Sequence, residues 1–237
     1  DTFYEHDEPR VLAKAFVAGT SVIMFFYNLF LFFTIRDSNY LHYVGLVAMM
    51  LLFDLSLNGL GYLYLWSEVP LISQKIVPIS ISGLALSAGL FTHVFLKTKE
   101  KLPTGHKVLA FLTIGSGLIF IASFALSYSI TVRAAALFGG SISVACMVIG
   151  LLEMRTGYGP ARYYTVAWLS LYSATVVLAM SKFGLIERTA FVEQSFEFAM
   201  VLQVLLFSFA LGDRINQIQR EKQKAQETAL LQYEKYA

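Results

Sequence analysis

The chain has 237 residues, of which 57% are hydrophobic and only 14% charged, with a formal net charge of +2. Its mean hydropathy of +0.62 is too apolar for an ordinary soluble domain, so the bilayer is the expected solvent. The slight positive balance does not point to a nucleic-acid partner, because the basic residues are explained by topology and form no single stripe.

A spanning helix needs about 20 mostly apolar residues. Seven windows meet that requirement: Val11–Ile35, Tyr40–Trp66, Leu71–Leu96, Val108–Ser129, Val132–Met154, Thr165–Leu185 and Phe191–Leu211. They lack period-two alternation and far exceed the ~10 residues of a barrel strand. The expected fold is therefore an all-α membrane protein, a seven-transmembrane helix bundle over residues 11–211, and the bilayer is its first partner.

The chain starts at Asp1 without methionine or a basic leader, so the first span is not an intact signal peptide and a preceding segment is expected. In span one, Asn28 is expected to hydrogen-bond across helices, and Arg36 and Asp37 to fix the tight turn that follows. Asp54 and Asn58, four apart, share one face of span two. Tyr62, Tyr64 and Trp66 read as interfacial anchors. Span three carries Lys75 about one turn in, then Pro78 and a run of small residues from Ser82 to Gly89. The loop Lys97–Lys107 holds Pro103 and Gly105 and should break helix.

Gly115 and Gly117 in span four, and Gly139, Gly140, Ser141 and Ser143 in span five, continue the small-residue pattern. Close helix packing and a substrate path are the two readings. Arg133 stands at the start of span five, and the single cysteine, Cys146, reads as a packing residue. Gly157, Gly159 and Pro160 mark another break, after which Tyr163, Tyr164 and Trp168 read as a second set of anchors. Glu193 and Glu197 share a face near the start of span seven.

With the N-terminus outside, 12 of the 18 basic residues fall in the inner segments, which supports an N-out, C-in topology. The last span then runs into a charged, Gln-rich tail, Asp213 to Ala237, with no proline and only Gly212 at the junction. That is one helix leaving the membrane as a cytoplasmic rod. A 4-3 spacing sets Leu211, Ile215, Ile218, Lys222, Ala225, Ala229, Gln232 and Tyr236 on one seam, good to Ile218 and mediocre beyond. A parallel coiled coil, making the protein a homodimer through this helix, and a tail that frays after Ile218 are the two outcomes to separate.

Ionisable groups inside spans are costly and serve as functional hypotheses by default. Asp54, Asn58, Lys75, Arg133, Glu193 and Glu197 all lie at the centre or on the outer side. One reading is an outward-facing polar pocket in which Lys75 or Arg133 pairs Glu197 or Asp54 and a stimulus changes the pairing. The other is static pairs that fasten the bundle. Asp213 and Arg214, followed by Ile215 and Ile218, form the expected signal-transmitting junction, as a depth stop or as ordinary head-group contacts. His42 and His93 could share a depth, but two imidazoles fall short of a three-ligand zinc site, so no metal is assigned. No serine-nucleophile motif occurs, and no lysine between Lys182 and Lys222 can carry a retinal Schiff base. No catalytic residue and no cofactor are assigned. A small-solute transporter or channel is the alternative function, though no convincing internal repeat supports it.

Several segments carry a resemblance. They are Phe26-Tyr27-Asn28-Leu29-Phe30-Leu31-Phe32-Phe33 with Arg36-Asp37-Ser38-Asn39-Tyr40-Leu41-His42-Tyr43; Leu57-Asn58-Gly59-Leu60 with Tyr64-Leu65-Trp66; Leu102-Pro103; Gly159-Pro160-Ala161-Arg162 with Ala167-Trp168; and Leu206-Phe207-Ser208-Phe209-Ala210-Leu211-Gly212-Asp213-Arg214-Ile215-Asn216. In this order they resemble the seven-transmembrane region of bacterial receptors with diverse intracellular signalling modules. The resemblance implies a multi-pass protein of the bacterial cytoplasmic membrane that passes an outside stimulus to a histidine kinase or diguanylate cyclase type of output. It also implies that residues 1–10 are the remnant of a linker from an extracytoplasmic sensory domain. Residues 212–237 would then be a signalling helix leading to the output domain, the bundle itself being non-catalytic.

Overall fold

The computed structural model describes the backbone of residues 2–187 and 189–236, and their side chains except those of 2–13, 70, 71, 182, 190, 193, 229–231 and 233–236. Among the described residues eight α-helices follow one another: α1 Thr2–Ile35, α2 Ser38–Leu57, α3 Pro70–Phe95, α4 Thr98–Lys101, α5 Pro103–Ala125, α6 Tyr128–Arg155, α7 Gly159–Lys182 and α8 Ala190–Tyr236. All except the single turn α4 are long and apolar enough to cross a membrane, which makes 7 spans. No strand occurs among the described residues.

The helices form a closed bundle. Chain neighbours pack on one another, α8 lies mainly along α7, and α1 touches both α2 and α8. The central helix is α3, which contacts α2, α5 and α6 and is the most buried span. It continues through Pro78, so the proline does not split it. The surface is the inverse of a soluble protein's: Phe16, Ile23, Phe30, Phe111, Ile114, Leu118, Leu137 and Phe209 all point outward. Such a continuous apolar exterior needs lipid around it.

The core gathers around an aromatic cluster in the half of the bundle nearer the α8 tail. Phe91 and Phe95 stack at 5.1 Å, and Tyr164 stacks on Phe207 at 5.4 Å. The Tyr43 hydroxyl donates to the Val204 carbonyl, tying α2 to α8. Thr92 joins the Tyr164 hydroxyl at 2.7 Å and Cys146 Sγ at 3.2 Å. Tyr164 and Trp168 are thus core residues, not interfacial anchors, because their rings fill the gap between α3 and α8. Tyr163 alone of that set stays exposed.

The second span ends earlier than its apolar run suggests. Asn58 closes α2, Gly59 takes φ +74, and Tyr62–Trp66 make a π-helical turn. Trp66 folds back over Gly61, where a Cβ would stand only 1.9 Å from the indole ring. Tyr62 and Tyr64 remain exposed. Close approach also explains other glycines in the middle spans. A Cβ on Gly89 would meet Thr113 at 2.1 Å, and one on Gly115 would meet Phe138 at 2.1 Å.

Helix breaks fall inside the two expected loops, at Lys97 and Leu102 and at residues 156–158. Pro103 opens α5 and Gly159-Pro160 opens α7, because proline suits the first helical turn, where its missing N–H costs nothing. α1 is helical from Thr2. Asn28 donates to the Met24 carbonyl of its own helix at 2.8 Å, not across helices. At the far end of the chain, α8 passes through Gly212 and runs unbroken to Tyr236.

Candidate functional site

Two polar regions occupy opposite ends of the bundle. At the end remote from the tail, Asn58 caps α2 by donating its backbone N–H to the Asp54 carbonyl at 3.0 Å and its side-chain amide to Asp54 Oδ1 at 2.8 Å. Glu197 on α8 and Lys14 on α1 lie within electrostatic reach of Asp54. The three helices meet here because α1 packs on α2 and α8. Asp54 Oδ2 and Glu197 Oε2 are buried without a hydrogen-bond partner. An unpartnered carboxylate oxygen away from water is costly, so among the described residues this cluster is not saturated.

Asp54, Asn58 and Glu197 thus come together, but the basic partner differs from expectation. Lys75 donates to the Phe124 carbonyl at 2.7 Å, where the last carbonyls of α5 lack helical partners and attract a cation. Arg133 is exposed on α6. Neither reaches Asp54, because both stand on the side of the bundle formed by α3, α5 and α6. The side chain of Glu193 lies outside the described residues. Lys14 escaped the sequence reading because its helix partners were not known, although its place at the start of the first span matched the depth of Asp54 and Glu197.

At the tail end, α8 leaves through a ring of specific contacts. Arg214 is only 8% exposed. Its guanidinium lies 5.9 Å from the Phe95 ring centre and 3.5 Å from the Val94 carbonyl at the end of α3. It therefore faces the bundle, not the head groups. Asp213 and Gln217 lie against Gly159, where a Cβ would come within 3.0 and 2.6 Å of their side chains. Ile215 packs on the core and Ile218 is half-buried.

Beside this exit, Lys101 pairs with Glu153 at 3.1 Å and sits 3.8 Å from the centre of the Tyr158 ring. Glu153 is fully buried, while the Lys101 side chain is 33% exposed. Burial raises the Tyr158 phenol above its ordinary value of 10.0, opposed by Arg214 and reinforced by Asp213, Glu153 and Glu221. Nearby, His93 and His106 approach at 3.1 Å between their Nδ1 atoms, with Thr98 Oγ1 at 2.9 and 3.0 Å from them. His42 instead contacts its own-helix Ser38 carbonyl at 2.7 Å. His93 thus pairs with His106, because α4 folds the loop back over α3. Among the described residues no group of three metal-binding side chains forms. Glu153 and Lys101 were legible only as one ionisable residue near a helix end and one basic loop residue.

A family model described as 7TM diverse intracellular signalling matches residues 10–214. The chain belongs to the 7TM diverse intracellular signalling family. No curated protein and no solved structure matches it. As a 7TM diverse intracellular signalling bundle, it is a multi-pass membrane receptor region associated with signalling inside the cell, a sensory region not itself catalytic. The family match ends at Arg214, the residue that anchors α8 to the end of α3.

Proposed function

We propose that this bundle couples an extracytoplasmic stimulus to a cytoplasmic output module, of histidine kinase or diguanylate cyclase type, through motion of α8 within a homodimer in the bacterial cytoplasmic membrane. The distribution of lysine and arginine supports the N-out, C-in orientation. The observation that carries the reading is the continuity of α8. Its first half is buried in the core around Met200, Val204 and Phe207, and residues 219–228 stand exposed on the same helix. A shift of the buried half must therefore displace the exposed half.

An upstream sensory domain and a downstream output domain of the same protein complete the proposed pathway. In this reading the Asp54, Asn58 and Glu197 cluster is the polar contact on α8 that responds at the stimulus side. The ring around Arg214 is then the second contact on α8, at the output side. No chemistry in the bundle is required.

Disulfide crosslinking tests the dimer and its seam. With buried Cys146 replaced, single cysteines at Ile215, Ile218, Lys222 and Ala225 and at positions between them are oxidised in membranes. Crosslinks that peak on the seam are the expected result. A flat profile removes the parallel coil.

A further inference from the structure

The small residues of the middle spans do not all close helix contacts. Between α2, α3, α6, α7 and α8 lies a cavity of about 490 Å³, walled by Ala85, Gly139 and Ser143 on one side and Tyr172, Met200 and Gln203 on the other. It sits at mid-span depth on each of these helices. Exposed Val144 and Gly140 lie on its wall, so the cavity reaches the lipid-facing surface beside α6.

Ser143 and Thr175 on its wall donate to carbonyls of their own helices, but two other polar groups are unspent. Trp168 lines the wall and is 5% exposed, yet its Nε1 donor has no partner, and neither does the Tyr172 hydroxyl. The Tyr164 hydroxyl near Trp168 is held by Thr92 at 2.7 Å and does not complete a hydrogen bond with Nε1. Gln203, 4% exposed, adds an amide on the α8 side. An unpaired buried donor in an apolar setting is costly, and pockets of roughly 300–1,000 Å³ lined by apolar groups with a few convergent polar ones suit small molecules.

We infer that this cavity binds an uncharged amphiphilic small molecule, mostly hydrocarbon with one hydrogen-bonding head, that enters from the bilayer. No residue on the wall carries a charge, which excludes an ionic ligand by desolvation. The head group meets Gln203, Tyr172 and Trp168, and the chain lies against Ala85 and Gly139. Because Met200 and Gln203 belong to α8, occupancy presses on the helix that leads to the tail. That last consequence rests on the proposed receptor function, whereas the binding itself does not.

The chain holds two tryptophans, so Trp66→Phe leaves Trp168 as the reporter on the wall. The 237-residue chain carrying this change is placed in lipid nanodiscs and titrated with 2-bromodecan-1-ol, whose bromine stands beside the hydroxyl head and quenches indole fluorescence on contact. The expected result is saturable quenching, relieved by unbrominated decan-1-ol. Gln203→Leu should weaken it about tenfold, the loss of one hydrogen bond of about 1.4 kcal/mol. Gly140→Leu, whose Cβ meets no atom within 4 Å, should weaken it by filling the mouth without disturbing the fold. Quenching that rises linearly with alcohol shows partition only and overturns the proposal. Equal quenching by brominated phosphatidylcholine, unrelieved by decan-1-ol, shows that a lipid chain fills the cavity and also overturns it. Binding unchanged in both variants places the alcohol elsewhere, with the same consequence. None of these readouts uses the tail, so their failure is distinct from failure of the crosslinking test.

Discussion

At the tail end of the bundle, Glu153 is fully buried yet faces Lys101 at 3.1 Å. At the other end, Asp54 and Glu197 share a basic neighbour, Lys14, and among the described residues each keeps an oxygen without a partner. The first arrangement joins α6 to α4 with charges of opposite sign and adds the Tyr158 ring as a third member. The second sets two acids from α2 and α8 against each other. A paired buried charge resists change, since separating it exposes an uncompensated ion, whereas two acids competing for one cation are easily rearranged. We infer from the difference that the tail end is a fixed collar through which α8 passes and the opposite end the adjustable one.

The strongest way to break that contrast is to unpair Glu153. Lys101→Met leaves a fully buried carboxylate alone, and its second oxygen, Oε1, already lacks a partner. Such a change should cost about 3 kcal/mol of bundle stability. Glu153→Gln should cost less, because the lysine it abandons is partly exposed and regains water. Denaturant or thermal unfolding in detergent measures both. Equal losses, or a Lys101→Met loss no larger than that of an exposed ion pair, would remove the fixed-collar description.

Apolar length alone made the seven spans legible, because lipid forces backbone hydrogen bonding into helices wherever the run is long enough. The windows whose ends differed did so for local reasons. Gly59 adopts a positive φ that ends α2 within an apolar run, and Gly159-Pro160 starts a helix where the same two residues also mark loops. The site was legible only along single helices. Asp54 with Asn58 follows from the spacing of four, but Lys14 joins them through the packing of α1 on α2 and α8. Tyr164 and Trp168 illustrate the same limit. Aromatic residues near a span's end look alike whether they face head groups or the core, and only the position of α3 and α8 decides.

Neutralising the adjustable end should have a smaller effect, and of a different kind. Asp54→Asn keeps the hydrogen bond to Asn58 possible and relieves repulsion with Glu197. It should change stability by less than about 1 kcal/mol, in either direction. Glu197→Gln should do likewise. Combined, the two should be non-additive, because each removes the same repulsion, with a coupling on the order of 0.5 kcal/mol or more. A double-mutant cycle of unfolding free energies checks this. Additive losses of several kcal/mol would make these acids static fasteners like Glu153, and the two ends would no longer differ.

The smallest expected effect lies in the alkaline range and sharpens the contrast at the tail end. Burial raises the Tyr158 phenol above 10.0, so the folded bundle holds that proton more tightly than the unfolded chain does. The corresponding stability is complete below pH 10.0, the unfolded value, and is lost as pH rises through the folded value. Tyr158→Phe retains an aromatic face for Lys101 while removing the proton. The variant should match the parent near neutrality, allowing for a few tenths of a kcal/mol, and lose stability less steeply above about pH 10. Unfolding midpoints followed across that range give the difference between the two slopes, which cancels the titration of other tyrosines. Parallel slopes for parent and Tyr158→Phe would mean that the phenol reaches water, and that the collar around α8 is looser than the contacts of Lys101, Glu153 and Arg214 require.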